Sequence, residues 1–307
     1  MMTDISARPL RPARRRSSKW AQKLAPYFFL APFLVLFIVF LVVPLFYALQ
    51  LSFFRETMVG GIRFVGLDNY GKALTDQKFW DGVLLLLRYG LFQLPVMLGA
   101  ALLLALILDS GMLWARAFFR LGLFLPYAVP TVIAALIWGY LYGPSFGPMT
   151  QIADYFGLPR PDLFNANTML YAIANISIWE HVGYFMIIYF AALQAIPADF
   201  EEAAVVSGAR AWQYVIYVKL PLIRGTILVT VIFATIGALQ LFAEPYLLEA
   251  LAPAVITSSY TPNIYAYNLA FVNQDYNYSA AISFVLGAVV AVVSYVFQLV
   301  SARREGK

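Results

Sequence analysis

Glu180 and His181 are adjacent titratable residues in the middle of a long apolar segment. Ionisable side chains are costly inside a bilayer and are therefore candidates for function. Together they could bind a metal ion or relay protons. One histidine and one neighbouring carboxylate on different faces of a helix make a poor metal site. A polar wall of a water-filled cavity is the favoured interpretation, with proton or metal chemistry as the alternative.

A second set of polar and aromatic residues falls in or near the same kind of segment. Carboxylates and amides pair with sugar hydroxyl groups, and aromatic rings stack on the apolar face of a sugar. Polar groups also join helices to one another in lipid, so helix packing is the competing interpretation for each of them. Arg88, also inside an apolar segment, either snorkels or pairs with a buried carboxylate. The solute-contact candidates are Asn175, Trp179, Glu180, Gln240, Glu244 and Tyr246.

The segment Gly66–Ala73 nearly matches a phosphate-binding loop, but Ala73 stands where Ser or Thr should bind magnesium. No strand is predicted before it. The chain has no cysteine, and no nucleophile triad or paired carboxylates can be assembled. We therefore expect no enzymatic site, no ATPase site and no cofactor bound by this chain.

Composition points to a membrane protein, because the chain is 62% hydrophobic and only 12% charged. Soluble domains carry about 25% charged residues. Apolar runs of twenty or more residues cross a bilayer as helices, since lipid offers no partners to the backbone. The predicted fold is an all-α integral membrane protein with six spans. They are predicted at Phe28–Phe53, Val83–Leu108, Phe118–Tyr142, Thr168–Ala192, Leu222–Leu247 and Ala280–Ser301.

The basic residues predict the orientation of these spans. With the tail of residues 1–26 in the cytoplasm, 15 Lys and Arg flank that side and 5 flank the other. This bias follows the positive-inside rule and places both termini, including residues 303–307, in the cytoplasm. The tail is basic enough for a targeting peptide or a nucleic-acid contact, but an orientation signal ahead of an uncleaved anchor is favoured.

Three outward connections, at about 54–82, 143–167 and 248–279, are long and rich in turn formers and aromatic residues. Some of these aromatic side chains are expected to lie at the membrane–water interface, where Trp and Tyr are enriched. The others could form a surface for an external protein, because aromatic residues anchor interfaces.

The polar segment 194–221 connects the fourth and fifth predicted spans. Pro197 suits a first helical turn, and the acidic residues after it favour a helix N-terminus. Gly208 is placed to end that helix in a left-handed conformation. A second helical stretch is predicted from Ala211 to Lys219, and Pro221 would end it or open the fifth span. The physical prediction is a helix-turn-helix hairpin, which either links two spans or moves as a rigid unit.

This segment resembles the EAA loop of sugar-type permeases of bacterial ABC importers. Glu202-Ala203-Ala204, Gly208 and Leu220-Pro221 match the loop's pattern, and Val218 stands where it prefers Ile. The resemblance continues in Phe64–Tyr70 after the first span and in Phe124–Tyr127 in the third. The family's T-x-G-G-P turn after the fifth span is reduced here to Pro253.

The resemblance implies a MetI-like six-helix permease domain over residues 27–302 in the bacterial inner membrane. It implies a second permease subunit, a separate ABC ATPase dimer that binds ATP and magnesium, and an extracytoplasmic solute-binding protein. The solute would be a sugar, a polyol or a glycerol-phosphate-type compound, and a highly anionic solute is disfavoured because only Arg88 lies well inside a span. Residues implied in ATPase coupling are Glu201, Glu202, Ala203, Ala204, Gly208, Leu220 and Pro221.

A self-contained secondary transporter or channel is the alternative, with Glu180, His181 or Glu244 as a proton relay. The inverted repeats and paired broken helices typical of such transporters are not evident in the sequence.

Overall fold

The structure is a computed structural model that describes residues 19–57, 60–111, 114–145 and 147–305. Positions 1–18 of the predicted basic tail and positions 306–307 of the predicted C-terminal segment lie outside the described residues. The chain divides into two compact units between residues 50 and 51.

The predicted all-α membrane fold is confirmed. Within the described ranges, five helical segments are long and apolar enough to cross a bilayer, and a bent helix pair makes a sixth if it is counted as one span. The five segments are Pro26–Ser52, Gln77–Asp109, Met169–Gln194, Arg224–Leu248 and Tyr276–Val296.

The first segment consists of helices α1 (Lys19–Phe37) and α2 (Val43–Ser52), joined by a π turn at Ile38–Val42. Pro44 follows that turn, and a wider turn relieves the clash between a proline ring and the carbonyl four residues earlier. The apolar side chains of α1 are largely exposed, with Phe29 at 81%. Such a surface requires lipid or another apolar partner.

The third predicted span is not one straight helix. Helix α5 (Arg116–Phe124) passes into a 3-10 turn at Leu125–Ala128, and α6 (Thr131–Tyr142) then leaves at an angle of 96°. Pro126 and Pro130 explain the break, since Pro130 removes a backbone donor and forces Val129 into an extended conformation. The predicted span at Phe118–Tyr142 therefore corresponds to a broken pair of helices and not to a single helix.

The connection after α2 contains a β-hairpin that the sequence analysis did not predict. Strands β1 (Phe54–Thr57) and β2 (Gly61–Phe64) pair antiparallel, and helix α3 (Asp68–Thr75) follows. A strand thus does precede the segment 66–73, contrary to expectation. Helix α3 nevertheless begins inside that segment, so most of the residues that would wrap a phosphate are helical.

The second and last spans begin earlier than predicted. Helix α4 (Gln77–Asp109) starts six residues before Val83, because the Asp76 side chain accepts a hydrogen bond from Lys78 N at 2.9 Å and caps it. The remaining elements are short helices and the later spans. They are α7 (Pro148–Tyr155), α8 (Met169–Gln194), α9 (Asp199–Val206), α10 (Ala211–Tyr214), a π turn at Val215–Lys219, α11 (Leu220–Leu222), α12 (Arg224–Leu239), α13 (Ala243–Leu248), α14 (Pro262–Tyr267), a π turn at Asn268–Val272 and α15 (Tyr276–Glu305).

Helices α4 and α8 pack against each other and make the most extensive helix–helix contact of the second unit. On α4, Ala101 and Ala105 are fully buried and let the facing helix approach closely, against Met186 and Tyr189. The Tyr189 hydroxyl lies 2.7 Å from the hydroxyl of Thr230 on α12, so a buried polar contact also ties the fifth span to this helix pair.

Asp76 joins three helices at one end of the bundle. Its Oδ2 accepts hydrogen bonds from the hydroxyls of Tyr265 at 2.8 Å and Tyr278 at 2.6 Å. Partial burial raises the pKa of Asp76, but the hydrogen bonds outweigh it and hold that pKa below the ordinary value of 3.8. The ionised form is therefore the one that the fold favours.

We expect this contact to make folding stability sensitive to acid. A folded-state pKa below the unfolded one stabilises the protein fully above about pH 4, and this contribution is lost as the pH falls through the folded pKa. The midpoint temperature of thermal unfolding in detergent is measured from about pH 7 to pH 3. This temperature should fall further for the wild type than for Asp76→Asn. An equal acid-induced loss in both proteins would contradict the assignment.

Candidate functional site

The segment 194–221 forms the predicted hairpin, which we call the 194–221 hairpin. Its first helix is α9, with Asp199, Glu201 and Glu202 in the first turn, where negative charge is favourable. Pro197 does not lie in that first turn as predicted. It precedes the helix, and its carbonyl accepts a hydrogen bond from Phe200 N at 3.2 Å.

Gly208 reverses the chain after α9, as predicted. Its φ is +76°, in the left-handed region where a side chain is unfavourable. Gly208 N donates to the carbonyl of Val205 and Ala209 N donates to the carbonyl of Ala204, both at 3.0 Å. These bonds satisfy carbonyls at the helix end and fix the turn.

The second arm begins with α10 and widens into the π turn at Val215–Lys219 before α11. Pro221 in α11 explains the widening, as Pro44 does in the first unit, because a wider turn relieves its clash with the earlier carbonyl. Pro221 does not end the helical stretch, which continues to Leu222. Leu220 packs against the buried cluster of α4 and α8, so it anchors the arm.

A groove of about 500 Å³ lies between the two arms. Its lining includes Ala203, Ala204, Gly208 and Ala209, whose small side chains leave the backbone accessible. Val206 beside it is 89% exposed. The hairpin therefore presents an acidic, small-residue surface that a partner protein can approach closely.

Asp109 at the end of α4 contacts both ends of the hairpin. Its Oδ1 accepts a hydrogen bond from Gln194 Nε2 at 2.6 Å, and its Oδ2 lies 2.5 Å from Lys219 Nζ. Sequence analysis missed this contact, because the residues are far apart in the chain and each resembles an ordinary helix-terminal polar residue.

A polar cavity of about 530 Å³ lies among α4, α6, α8, α12 and α13. Its lining includes two predicted residues, Gln240 and Glu244, and the adjacent His181. Five lining residues with a hydroxyl or amide group were missed by sequence analysis. They are Tyr89, Gln93, Thr131, Ser177 and Tyr184.

Glu180 is buried behind this lining and is held by the broken third span. Thr131, the first residue of α6, donates a hydrogen bond from its hydroxyl to Glu180 Oε1 at 2.6 Å. Among the described residues, Glu180 Oε2 and Gln93 Oε1 have no hydrogen-bond partner. The break at Pro126 and Pro130 is therefore what brings Thr131 to the carboxylate, and a straight helix predicted from hydropathy could not reveal it.

His181 is oriented by its own helix. Its Nδ1 lies 3.0 Å from the carbonyl of Ser177, so Nδ1 carries the hydrogen. Its ring packs edge-on against Tyr127 with centroids 5.9 Å apart. No cluster of three or more His, Asp or Glu suited to a metal ion occurs among the described residues.

Glu244 and Tyr246 lie on α13, just after the break at Gln240. Glu244 is 8% exposed and faces the cavity. Tyr246 belongs to a cluster of four aromatic rings. Its ring centroid lies 5.2 Å from that of Phe242, which it stacks on, and 5.1 Å from that of Tyr267. The ring centroids of Tyr267 and Phe271 are 4.9 Å apart. Phe242 also lines the cavity, so these aromatic rings adjoin it.

The other predicted residues are not in the cavity lining. Asn175 Nδ2 donates to the Tyr142 hydroxyl at 2.8 Å, and Trp179 meets Trp138 edge-on at 5.8 Å. Both therefore make helix-packing contacts. Arg88 is exposed and has no ion pair with any residue that the structure describes.

Comparison with known proteins agrees with this architecture. Arabinooligosaccharides transport system permease protein AraP of Bacillus subtilis is 29% identical over 96% of each chain. The trehalose/maltose transport system permease protein MalF of Thermococcus litoralis is 30% identical over 86% of this chain and 89% of its own length. A crystal structure of a bacterial ABC transporter involved in alginate import matches with a TM-score of 0.81, covering 93% of this chain and 98% of the matched chain at 22% identity, and shows the same fold.

A third relative is the sn-glycerol-3-phosphate transport system permease protein UgpA of Brucella suis, which is 30% identical over 92% of this chain and 96% of its own length. The family described as binding-protein-dependent transport system inner membrane component matches residues 97–306, which include α8, the 194–221 hairpin and α12. This match covers more than half of the chain. The chain therefore belongs to the family of inner membrane components of binding-protein-dependent transport systems.

Proposed function

We propose that the chain is a permease subunit of an ATP-driven importer for a neutral sugar or polyol. The observation that carries this proposal is the polar cavity, whose lining combines hydroxyl, amide, imidazole and carboxylate groups and contains no Lys or Arg among the described residues. Relatives named for arabinooligosaccharides and for trehalose and maltose support the same class of solute.

The chemistry of the cavity favours a solute rich in hydroxyl groups. Glu244 and Gln93 offer acceptor oxygens in the lining, Glu180 lies directly behind it, and the Nε2 atom of His181 is the ring nitrogen that is not used by the Ser177 carbonyl. No Lys or Arg lines the cavity among the described residues. Buried carboxylates repel an anion, so a phosphate or uronate is disfavoured although UgpA is named for sn-glycerol-3-phosphate.

The 194–221 hairpin is the proposed contact for a separate ATPase. The residues proposed for coupling are Glu201, Glu202, Ala203, Ala204, Gly208, Leu220 and Pro221. Within this set, the exposed residues of α9 and its turn form the contact surface, whereas Leu220 anchors the second arm in the core. ATP and magnesium would be bound by that partner, because the near-match at 66–73 is mostly helical here and makes other contacts.

The remaining partners are a second permease subunit, different in sequence, and an extracytoplasmic solute-binding protein. This chain would form half of the translocation pathway, with both termini and the hairpin in the cytoplasm. The positive-inside bias of the sequence supports that orientation.

Reconstitution tests the proposal. The chain is placed in proteoliposomes with the permease, ATPase and binding protein of its own transport system, and uptake of maltose, arabinooligosaccharide and sn-glycerol-3-phosphate is measured with and without ATP. We expect ATP-dependent uptake of a neutral sugar. Uptake by this chain alone, driven by a proton gradient, would favour a secondary transporter and overturn the proposal.

Glu244→Gln should weaken uptake of the neutral sugar. The substitution replaces one acceptor oxygen with a donor amide, and losing a hydrogen bond that contributes about 1 kcal/mol should reduce uptake at limiting solute by roughly fivefold. Glu249→Gln is the matched control, because Glu249 is on the next turn and outside the cavity lining. Equal uptake by the two variants would remove Glu244 from the solute pathway.

A further inference from the structure

Asp109 connects the 194–221 hairpin to the long helix α4 through both of its carboxylate oxygens. Gln194, the last residue of α8 and the first of the hairpin, donates a hydrogen bond to one oxygen, and Lys219 near the end of the hairpin pairs with the other. The contact therefore closes the base of the hairpin on the last residue of α4.

Burial makes this contact rigid. The side chains of Asp109 and Lys219 are only 7% and 13% exposed. Exposed ion pairs are weak and separate easily, as expected for Arg160 and Asp154 at 64% and 45% exposure. Separating a buried pair leaves uncompensated charge in a poorly solvated site, which is strongly unfavourable. A displacement of the hairpin should therefore carry the end of α4 with it.

Helix α4 continues from this contact to the polar cavity. It runs unbroken from Gln77 to Asp109 and supplies Tyr89, Gln93 and Met97 to the cavity lining. At a rise of about 1.5 Å per residue, Gln93 lies roughly 24 Å along the helix from Asp109. One packed helix thus joins the hairpin to the cavity.

We propose that Asp109 is a positioning residue for transport: it clamps both ends of the hairpin and transmits hairpin movement through α4 to the polar cavity. This inference rests on the proposed coupling role of the hairpin. It adds a residue outside the hairpin and names the helix that carries the movement.

The test uses the complete transporter complex and requires no knowledge of the solute. The chain has no cysteine, so Phe233→Cys introduces a single reporter thiol at a cavity-lining position that is 67% exposed. Its labelling rate by an impermeant maleimide is measured with and without ATP and vanadate. The rate is compared in the reporter background alone and with Asp109→Asn, Lys219→Asp, or Asp109→Lys combined with Lys219→Asp.

In the reporter background, ATP and vanadate should change the labelling rate by at least about fivefold. Asp109→Asn and Lys219→Asp should abolish this change while the ATPase stays bound, and the charge-swapped pair should restore most of it. Asp154→Asn, which breaks the exposed pair, is the control and should leave the change intact. A full ATP-driven change in Asp109→Asn, or no recovery in the charge-swapped pair, would overturn the inference.

Gln194→Met provides a second variant if Asp109→Asn does not accumulate. It retains the ion pair and removes only the other hydrogen bond, and Gln194 is exposed, so folding should persist. We expect a smaller ATP-driven change in the labelling rate of the reporter thiol. An undiminished change would count against the proposed role of Asp109. If the reporter background itself showed no response to ATP, the proposed function would fail instead.

Discussion

Gly208→Pro is expected to abolish ATP-driven uptake while leaving the chain in the membrane. Gly208 has a φ of +76°, and proline is fixed near −65°, so the turn after α9 cannot form. The substitution also removes the N–H that bonds to the carbonyl of Val205. Because coupling energies of about 1–3 kcal/mol correspond to 5–150-fold effects, solute uptake per ATP hydrolysed should fall by at least roughly tenfold.

Gly208→Asn is the matched control, since asparagine tolerates the left-handed conformation better than most residues. It should retain most of the uptake. Glu202→Lys should also uncouple uptake, because it reverses an exposed charge in the acidic first turn of α9, whereas Glu202→Gln keeps the shape and should have a smaller effect. Wild-type uptake per ATP in Gly208→Pro and Glu202→Lys would refute the coupling role of the hairpin.

Gly183→Ala is expected to destabilise the bundle more than any other glycine-to-alanine change within its spans. A Cβ at Gly183 would overlap the carbonyl oxygen of Leu123 and lie 2.9 Å from Phe124 Cα. The obstacle is backbone, so α5 must move away from α8. Overpacking of this kind costs about 1–3 kcal/mol, and more where the backbone cannot shift.

The measurement is the yield of monodisperse protein in detergent and its thermal aggregation midpoint. Gly99→Ala on α4 is the control, because no atom outside its own helix turn lies within 4 Å of the added Cβ. Alanine is favoured over glycine in a helix interior, so this control should be neutral or stabilising. Equal stability of the two variants would contradict the close contact at Gly183.

Much of this architecture follows from local sequence. Long apolar runs determine the spans, and Gly208 determines the reversal in the hairpin, since both effects depend on a few adjacent residues. The hairpin prediction missed mainly the π turn before Pro221, and the prediction of the first span missed the similar turn before Pro44; at both places a proline widens the helix without ending it.

The third span and the cavity lining could not be predicted in the same way. Hydropathy treated Phe118–Tyr142 as one run, although Pro126 and Pro130 break it. Thr131 meets Glu180, and Asp109 meets Lys219, only because separate helices pack together. Asn175 and Trp179 had the same polar or aromatic character as true lining residues, and only the direction in which each side chain points on α8 separates them from Ser177 and His181.

We propose that the 194–221 hairpin is a cytoplasmic contact for the ATPase. The most direct measurement is maleimide labelling of Val206→Cys, an 89% exposed position beside the groove, in right-side-out and inside-out vesicles with and without bound ATPase. Labelling should occur only in inside-out vesicles and should be blocked when the ATPase is bound. Labelling in right-side-out vesicles, or labelling that the ATPase does not affect, would contradict the claim.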